Sequence, residues 1–274
     1  MKRGAGRIRA AAALLAALAC VALAAPWLAP DDPARQDLGA TLAPPSHAHP
    51  LGQDTLGRDL LARVLHGGRV SLVVGVATVT SSLLLGTAIG AVAGWSGGWL
   101  DELVMRLVDV LLAFPGLLLA IALTAVLGAS LRNVLLALCL IGWTGYARLA
   151  RGEVLRLRGR EFVEAARALG ASDRRILWRH LLPSLTAPLL VQATFGMAGA
   201  IVAEASLSFL GLGAQPPTAS WGTMLNDGRA FLLIAPHLTI VPGVAIMVTV
   251  LALNFLGEGL RDRLDVRPPT DLWR

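Results

Sequence analysis

The sequence predicts an all-α fold: a polytopic membrane bundle of six transmembrane helices with both termini in the cytoplasm. Three observations carry this. Hydrophobic residues make up 55% of the 274 residues and charged residues 15%, against about 25% charged in soluble domains. Six stretches each approach the roughly 20 apolar residues that a spanning helix needs. With the N-terminus inside, the alternation of six spans gathers eighteen of the 24 basic residues on one side, nine of them arginines between Arg148 and Arg179. An excess of Lys and Arg marks the cytoplasmic side.

The first span is expected at about 10–28, "AAAALLAALACVALAAPWL", after a basic start. A signal peptide shares that pattern, but the apolar run is long for one and further spans follow, so a retained helix is the favoured reading. The second span is expected at about 70–95 and the third at about 103–127. The fourth is expected at about 133–150, the fifth at about 188–212 and the sixth at about 231–256. Pro115, Pro236 and Pro242 are tolerable as kinks there, because neighbouring groups can satisfy freed carbonyls. Gly86, Gly90 and Gly94 repeat at small-xxx-small spacing, which lets membrane helices approach closely; packing within the subunit is the expected use. Arg106 and Asp109, three apart, suit an ion pair within one helix.

Composition also excludes functions. Lys2 is the only lysine, and a nucleotide-binding P-loop needs one after its glycine turn, so any ATP hydrolysis must reside in another subunit. No credible catalytic cluster is present, and "GWSGG" (94–98) lacks the strand-turn-helix setting of a nucleophile elbow. Cys20 and Cys139 both lie in apolar stretches and are expected to be reduced, buried thiols. His47 and His49, in a proline-rich outer segment, read as solvated rather than as metal ligands. No cofactor and no metal are expected.

The connection between the fourth and fifth spans, at about 151–183, far exceeds the usual 2–8 residues between helices. It reads as two short helices. Phe162, Ala165, Ala166 and Leu169 share a face at helical spacing, with Glu161 and Glu164 in the first turn, where the helix dipole favours carboxylates. Gly170 suits a left-handed cap and Ser172 an N-cap. Ile176, Leu177, His180 and Leu181 share a side of the second helix, and Pro183 is expected to interrupt it before the next span. The low relief of Ala165 and Ala166 suits a partner's groove. An amphipathic hairpin resting on anionic lipid explains the periodicity as well. A helix-turn-helix DNA reader is disfavoured by tethering at both ends, so no nucleic acid is expected.

"EAARALGASDRRILWRHLLPSL" (164–185) resembles the EAA loop of permease subunits in bacterial ABC importers. Glu164, Ala165, Ala166, Gly170, Leu182 and Pro183 match its spacing, and His180 departs from its usual aliphatic position in the manner of the peptide and nickel branch. "HPLGQDTLGRDLLARVLHGGRVSL" (49–72), "VDVLLAFPGLLLAIAL" (108–123), "AEASLSFLGLGAQPPTASWGTML" (203–225) and "NFLGEGLRDRLDVR" (254–267) resemble the same dipeptide/oligopeptide/nickel branch, in its C-type subunit. The resemblance implies half of a heteromeric pore, paired with a B-type permease in the cell inner membrane. It further implies two ATP-binding subunits gripping the EAA loops, and an extracytoplasmic binding protein that delivers a peptide, nickel or a related small solute. Glu164, Ala165, Ala166 and Gly170 become the coupling residues, with Leu182 and Pro183 closing the motif.

This organises the chain as a first helix with a periplasmic segment (1–69), a permease core (70–260) and a cytoplasmic tail (261–274). Glu204, a carboxylate inside the fifth span, either lines the translocation path or is a hydrogen-bonded packing element. Gln215-Pro216-Pro217 with Trp221 suits a face toward the binding protein or a membrane-interface anchor. The competing class is an ion-gradient-driven secondary transporter without an ATPase partner; it predicts inverted repeats and mid-membrane charges, and only Glu204 fits.

Overall fold

The computed structural model describes residues 2–29 and 31–264. Helix α1 (Lys2–Leu23) is followed by a one-turn helix α2 (Ala25–Leu28). Its apolar part, Ile8–Leu23, is a shorter helix than the expected first span: 16 residues rise about 24 Å, less than the roughly 30 Å of a bilayer core. α1 lies against the last helix of the chain, where Ile8 fills the space over Gly259. Cys20 is unpaired but exposed on this helix, and Cys139 is half-buried, so neither thiol is enclosed by the subunit as the apolar surroundings suggest.

Helix α3 (Leu60–Ser96) begins ten residues before the expected span and runs through the boundary expected at 69 and 70. Asp59 explains the early start: its Oδ1 accepts from the Ala62 N–H at 2.7 Å, a strong N-cap. The third expected span is a broken one. Helix α4 (Gly98–Ala113) and helix α5 (Gly116–Leu127) meet at 86°. Phe114 is extended, as a residue before proline must be, and Pro115 starts the new helix direction.

Helix α6 (Leu131–Leu157) leads to the short helix α7 (Glu161–Ala168). Helix α8 (Asp173–Ile176) passes through a π turn (Leu177–Leu181) directly into helix α9 (Leu182–Phe209). The expected interruption at Pro183 does not occur. Pro183 stands in the first turn of α9 immediately after the π turn, where its missing N–H leaves no gap in a regular ladder. The result is one helical rod of 37 residues, Asp173–Phe209. Helix α10 (Trp221–Gly228) sits across the far end, and helix α11 (His237–Arg263) returns through the bundle. Pro236 caps α11, and only Pro242 lies inside it. The tail expected at 261–274 continues α11 to Arg263 and then lies outside the described residues.

Among the described residues, α3, α6, the Asp173–Phe209 rod and α11 are each long and apolar enough to cross a membrane, and the bent α4–α5 pair makes a fifth crossing if it is one span. The tightest seam joins α3 to α6. A side chain at Gly86 would collide with the Trp143 carbonyl, one at Gly90 with that of Ala147, and one at Gly94 with that of Arg151. The glycine repeat therefore packs within the subunit, each step of four on α3 matched by a step of four on α6. Many leucines of α4 and α5 face outward, with Leu103, Leu107, Val110 and Leu118 all more than half exposed, as hydrocarbon contact requires.

Candidate functional site

The α7–α8 elbow stands at one end of the bundle, where α6 ends and the Asp173–Phe209 rod begins. α7 has Glu161 and Glu164 in its first turn. Its close is a Schellman motif: Gly170 N–H donates to the Arg167 carbonyl at 2.9 Å and Ala171 N–H to the Ala166 carbonyl at 3.0 Å. Gly170 holds φ +79°, a left-handed conformation that costs a side-chain-bearing residue about 1–2 kcal/mol. Ser172 then accepts from the Arg175 N–H at 3.4 Å as the N-cap of α8.

Both halves of the elbow are fastened to the bundle. Val163, Ile176, Leu177 and Leu181 are buried in a cluster with Tyr146, Ala150, Val154 and Leu157 of α6 and with Leu185 and Leu189 of α9. Arg167 lies over the Trp95 ring at 5.0 Å and 3.8 Å from Asp173, which ties α7 to the end of α3 and to α8. The apolar sector of α7 is thus divided. Val163 and Ala166 face the bundle, while Phe162 and Leu169, 43% and 87% exposed, look outward beside the exposed Glu164 and Ala165. His180, expected to share a side with Ile176, Leu177 and Leu181, falls in the π turn and is exposed while those three are buried.

The nine arginines divide as well. Arg151 makes a two-pronged pair with Asp101 of α4, both bonds 2.6 Å, and Arg158 donates to the Gly94 carbonyl at 3.1 Å. Arg148 pairs with Asp109, so Asp109 reaches across to α6 rather than to Arg106. Arg156 pairs with Glu153. Arg160, Arg174, Arg175 and Arg179 make no ion pair among the described residues, and the last three surround the exposed Trp178 in an open concavity of about 520 Å³.

The opposite end of the rod carries a cap formed by residues 31–59, the start of α3, the 210–220 loop and α10. Glu204 is fully buried. Its Oε2 accepts from Ser71 of α3 at 2.8 Å and its Oε1 from Ser208 at 2.7 Å, which satisfies a carboxylate inside the subunit and joins α3 to α9. Trp221 is buried rather than an interface anchor: its Nε1 donates to the Val64 carbonyl at 3.0 Å, and its ring packs on Gly68. His47 is exposed, but His49 is not simply solvated, since Nδ1 lies 2.8 Å from Asp59 Oδ2. Asp31 is near this pair and contacts Arg35.

Sequence reasoning passed over the four residues at the centre of this cap. Asp54 Oδ2 receives Arg58 Nε at 2.6 Å and Arg63 Nε at 3.2 Å; Asp227 Oδ2 lies 3.4 Å from Arg58 Nη2 and 3.6 Å from Arg63 Nη2. Both arginines are buried. Burial pushes the Asp227 carboxyl above the usual carboxylate range, although the two guanidiniums pull the other way. The available signal was the even mixture of acids and arginines in the outer segment, which reads as a solvated loop until Asp227, more than 160 residues later, is brought to it.

Comparison with known proteins agrees with these features. The family described as "Binding-protein-dependent transport system inner membrane component" matches residues 86–268. The glutathione transport system permease protein GsiD of Escherichia coli is 48% identical over 256 residues, covering 93% of this chain and 84% of that protein. The dipeptide transport system permease protein DppC of Alkalihalophilus pseudofirmus is 45% identical over 245 residues, covering 89% and 81%. A solved structure of the MetNI methionine ABC transporter, in an inward-facing conformation, is similar in fold, with a TM-score of 0.61 at 19% identity over 74% of this chain and 97% of that one. The chain belongs to the inner-membrane components of binding-protein-dependent transport systems, and it is a permease subunit of the ABC importer class.

Proposed function

We propose that the α7–α8 elbow is the point at which a separate ATPase subunit drives this permease, with Glu164, Ala165, Ala166 and Gly170 as coupling residues and Leu182 and Pro183 closing the motif. The observation that carries this reading is the divided α7 helix. One edge is locked to the bundle through Val163, and the other offers Phe162, Ala165 and Leu169 beside Glu164 with nothing over them. A partner's groove that covers this edge can push on α7 without unfolding it. The displacement then passes through the Gly170 turn into a helix that runs unbroken to Phe209. The exposed arginines around Trp178 suit the phosphate surface of the inner leaflet at the same level.

The proposal places the elbow end in the cytoplasm, as the arginine distribution favours, and both termini with it. The chain forms half of a pore with a second, B-type permease. Two ATP-binding subunits supply hydrolysis, which a chain with a single lysine and no P-loop does not perform. A binding protein delivers solute to the cap end. Relatives that carry glutathione and dipeptides support a short peptide as cargo over nickel. Glu204, held by Ser71 and Ser208 beneath the cap, acts behind the translocation path as a brace between α3 and α9.

The test is co-purification of the ATPase with the permease. Glu164→Arg and Gly170→Pro are expected to abolish it while the permease still accumulates in the membrane. Retention of the ATPase by both variants overturns the coupling assignment. Labelling of introduced cysteines at 160–180 from the outside of intact cells overturns the orientation.

A further inference from the structure

We propose that the cap end holds a receiving site for a zwitterionic solute of peptide type, with a carboxylate on the Arg63 and Arg58 side and an ammonium on Asp227. This deepens the reading of the chain as a short-peptide permease and rests on it. The site is a cavity of about 560 Å³ lined by Arg58, Arg63, Asp227, Asn226, Thr218 and Gln215, among others. Small-molecule sites run to about 300–1,000 Å³ and set a few polar groups among apolar ones. Ser208 contributes to the cavity wall and donates to Glu204, so the floor of the cavity is one hydroxyl away from the buried carboxylate of α9.

Two polar atoms are left over in an otherwise closed network. Arg63 has 3% of its side chain exposed, and its Nη1 is buried with no hydrogen-bond partner. A buried guanidinium N–H without an acceptor is costly, and a carboxylate is its best match in charge and geometry. Arg63 also borders a void of about 10 Å³, room for one water at most, so a water on Nη1 is the alternative occupant. Asp227 is the loose member: its contacts to the two arginines, 3.4 Å and 3.6 Å, both fall on Oδ2, and no donor among the described residues reaches Oδ1. It is 39% exposed at the side chain and lines the same cavity. Asp54, by contrast, is fully engaged, accepting from Arg58 Nε and from the Leu56 and Arg58 N–H groups. A cavity walled by two arginines, one of them short of an acceptor just behind the wall, and by an under-satisfied carboxylate suits a ligand that carries both opposite charges, as every unmodified peptide does.

The experiment uses the assembled transporter, with its second permease and ATPase subunits, in the absence of the binding protein. The probes are L-alanyl-L-alanine, its N-acetyl derivative and its C-terminal amide, with binding followed by calorimetry or by the shift in thermal unfolding. The free dipeptide is expected to bind about tenfold more tightly than either blocked form, the scale of one charge-assisted contact. Asp227→Asn is expected to remove the preference for a free ammonium, so that alanyl-alanine and its N-acetyl derivative bind alike. Thr218→Trp, at the exposed rim, is expected to abolish binding of all three. Equal binding of the three probes, or indifference to both substitutions, overturns the site and leaves a water on Arg63. ATP-driven uptake of the same dipeptide with the binding protein present tests the parent reading separately. Uptake that persists while the variants change no binding sinks only the site, and absence of uptake by the wild-type complex sinks the parent reading.

Discussion

The two ends of the rod from Asp173 to Phe209 use the same residue type in opposite ways. At the elbow, Arg160, Arg174, Arg175 and Arg179 are exposed and unpaired among the described residues. At the cap, Arg58 and Arg63 are buried and share two aspartates. Apolar residues follow the same contrast: Phe162, Leu169 and Trp178 are left open at the elbow, while Trp221 and Leu60 are enclosed at the cap. An end that makes most of its own contacts holds a shape. An end with open apolar and charged surface is built for something else to complete it. In the proposed reading the mechanical input enters at the elbow and the solute meets the cap, with α3, α6 and α9 as the link.

The largest expected effect comes from breaking that link. Gly90→Leu sets a side chain into the Ala147 backbone, which has no rotamer to yield. Overpacking in a core typically costs about 1–3 kcal/mol, and a backbone-on-backbone seam has no cheaper way to relax. The variant is expected to fail to accumulate, read as yield of folded subunit from membranes. Gly152→Ala on α6, with open space around it, is expected to accumulate normally, and its loss would show that the seam is not the determinant.

Next come the arginines, which test the contrast directly. Arg63→Gln leaves Asp54 and Asp227 short of a buried countercharge, and removing one member of such a network typically costs about 3–5 kcal/mol. Arg175→Gln at the elbow is expected to cost less than about 0.5 kcal/mol. Thermal unfolding of the two purified variants side by side checks this, and equal shifts would erase the distinction between the ends.

The contrast also marks what the sequence made legible. Spans, glycine seam and elbow depend on local periodicity, so α7, the Gly170 turn and the Ser172 cap stand within a residue of expectation. The failures are tertiary. Pro183 predicts a break by its local effect, but the π turn before it absorbs the missing donor. Pro115 predicts a kink within one span, and the kink reaches 86°. The face of α7 was legible, but not which edge the bundle would take, since Val163 is one residue outside the predicted stripe. At the cap, Arg63 meets Asp227 only after the chain has crossed the bundle several times, and no spacing rule reaches that far.

A smaller effect separates geometry from space at the elbow. A Cβ at Gly170 meets nothing within 4 Å, so Gly170→Ala is penalised only through φ +79°, about 1–2 kcal/mol. That energy is local to the turn. Expected is a permease of near-normal global stability whose coupling weakens, read as solute-stimulated ATPase activity falling relative to the basal rate. A large drop in overall unfolding temperature with coupling intact would show that the turn is structural only.

The smallest effect compares two N-caps, one at each end. Asp59 caps α3 at 2.7 Å, is buried, and also holds His49. Ser172 caps α8 at 3.4 Å at an exposed position. Cap removal costs about 0.5–2 kcal/mol, with weak exposed caps at the low end. Ser172→Ala is therefore expected to lower stability by about 0.5 kcal/mol and to speed hydrogen exchange at the first amides of α8, above all Arg175, while the amides of α3 stay unchanged. Asp59→Ala is expected to do the reverse and by a larger margin, because it orphans both the Ala62 N–H and the His49 ring. If both variants instead loosen both helices equally, the ends are one cooperative unit, and the rod transmits strain between them even at rest.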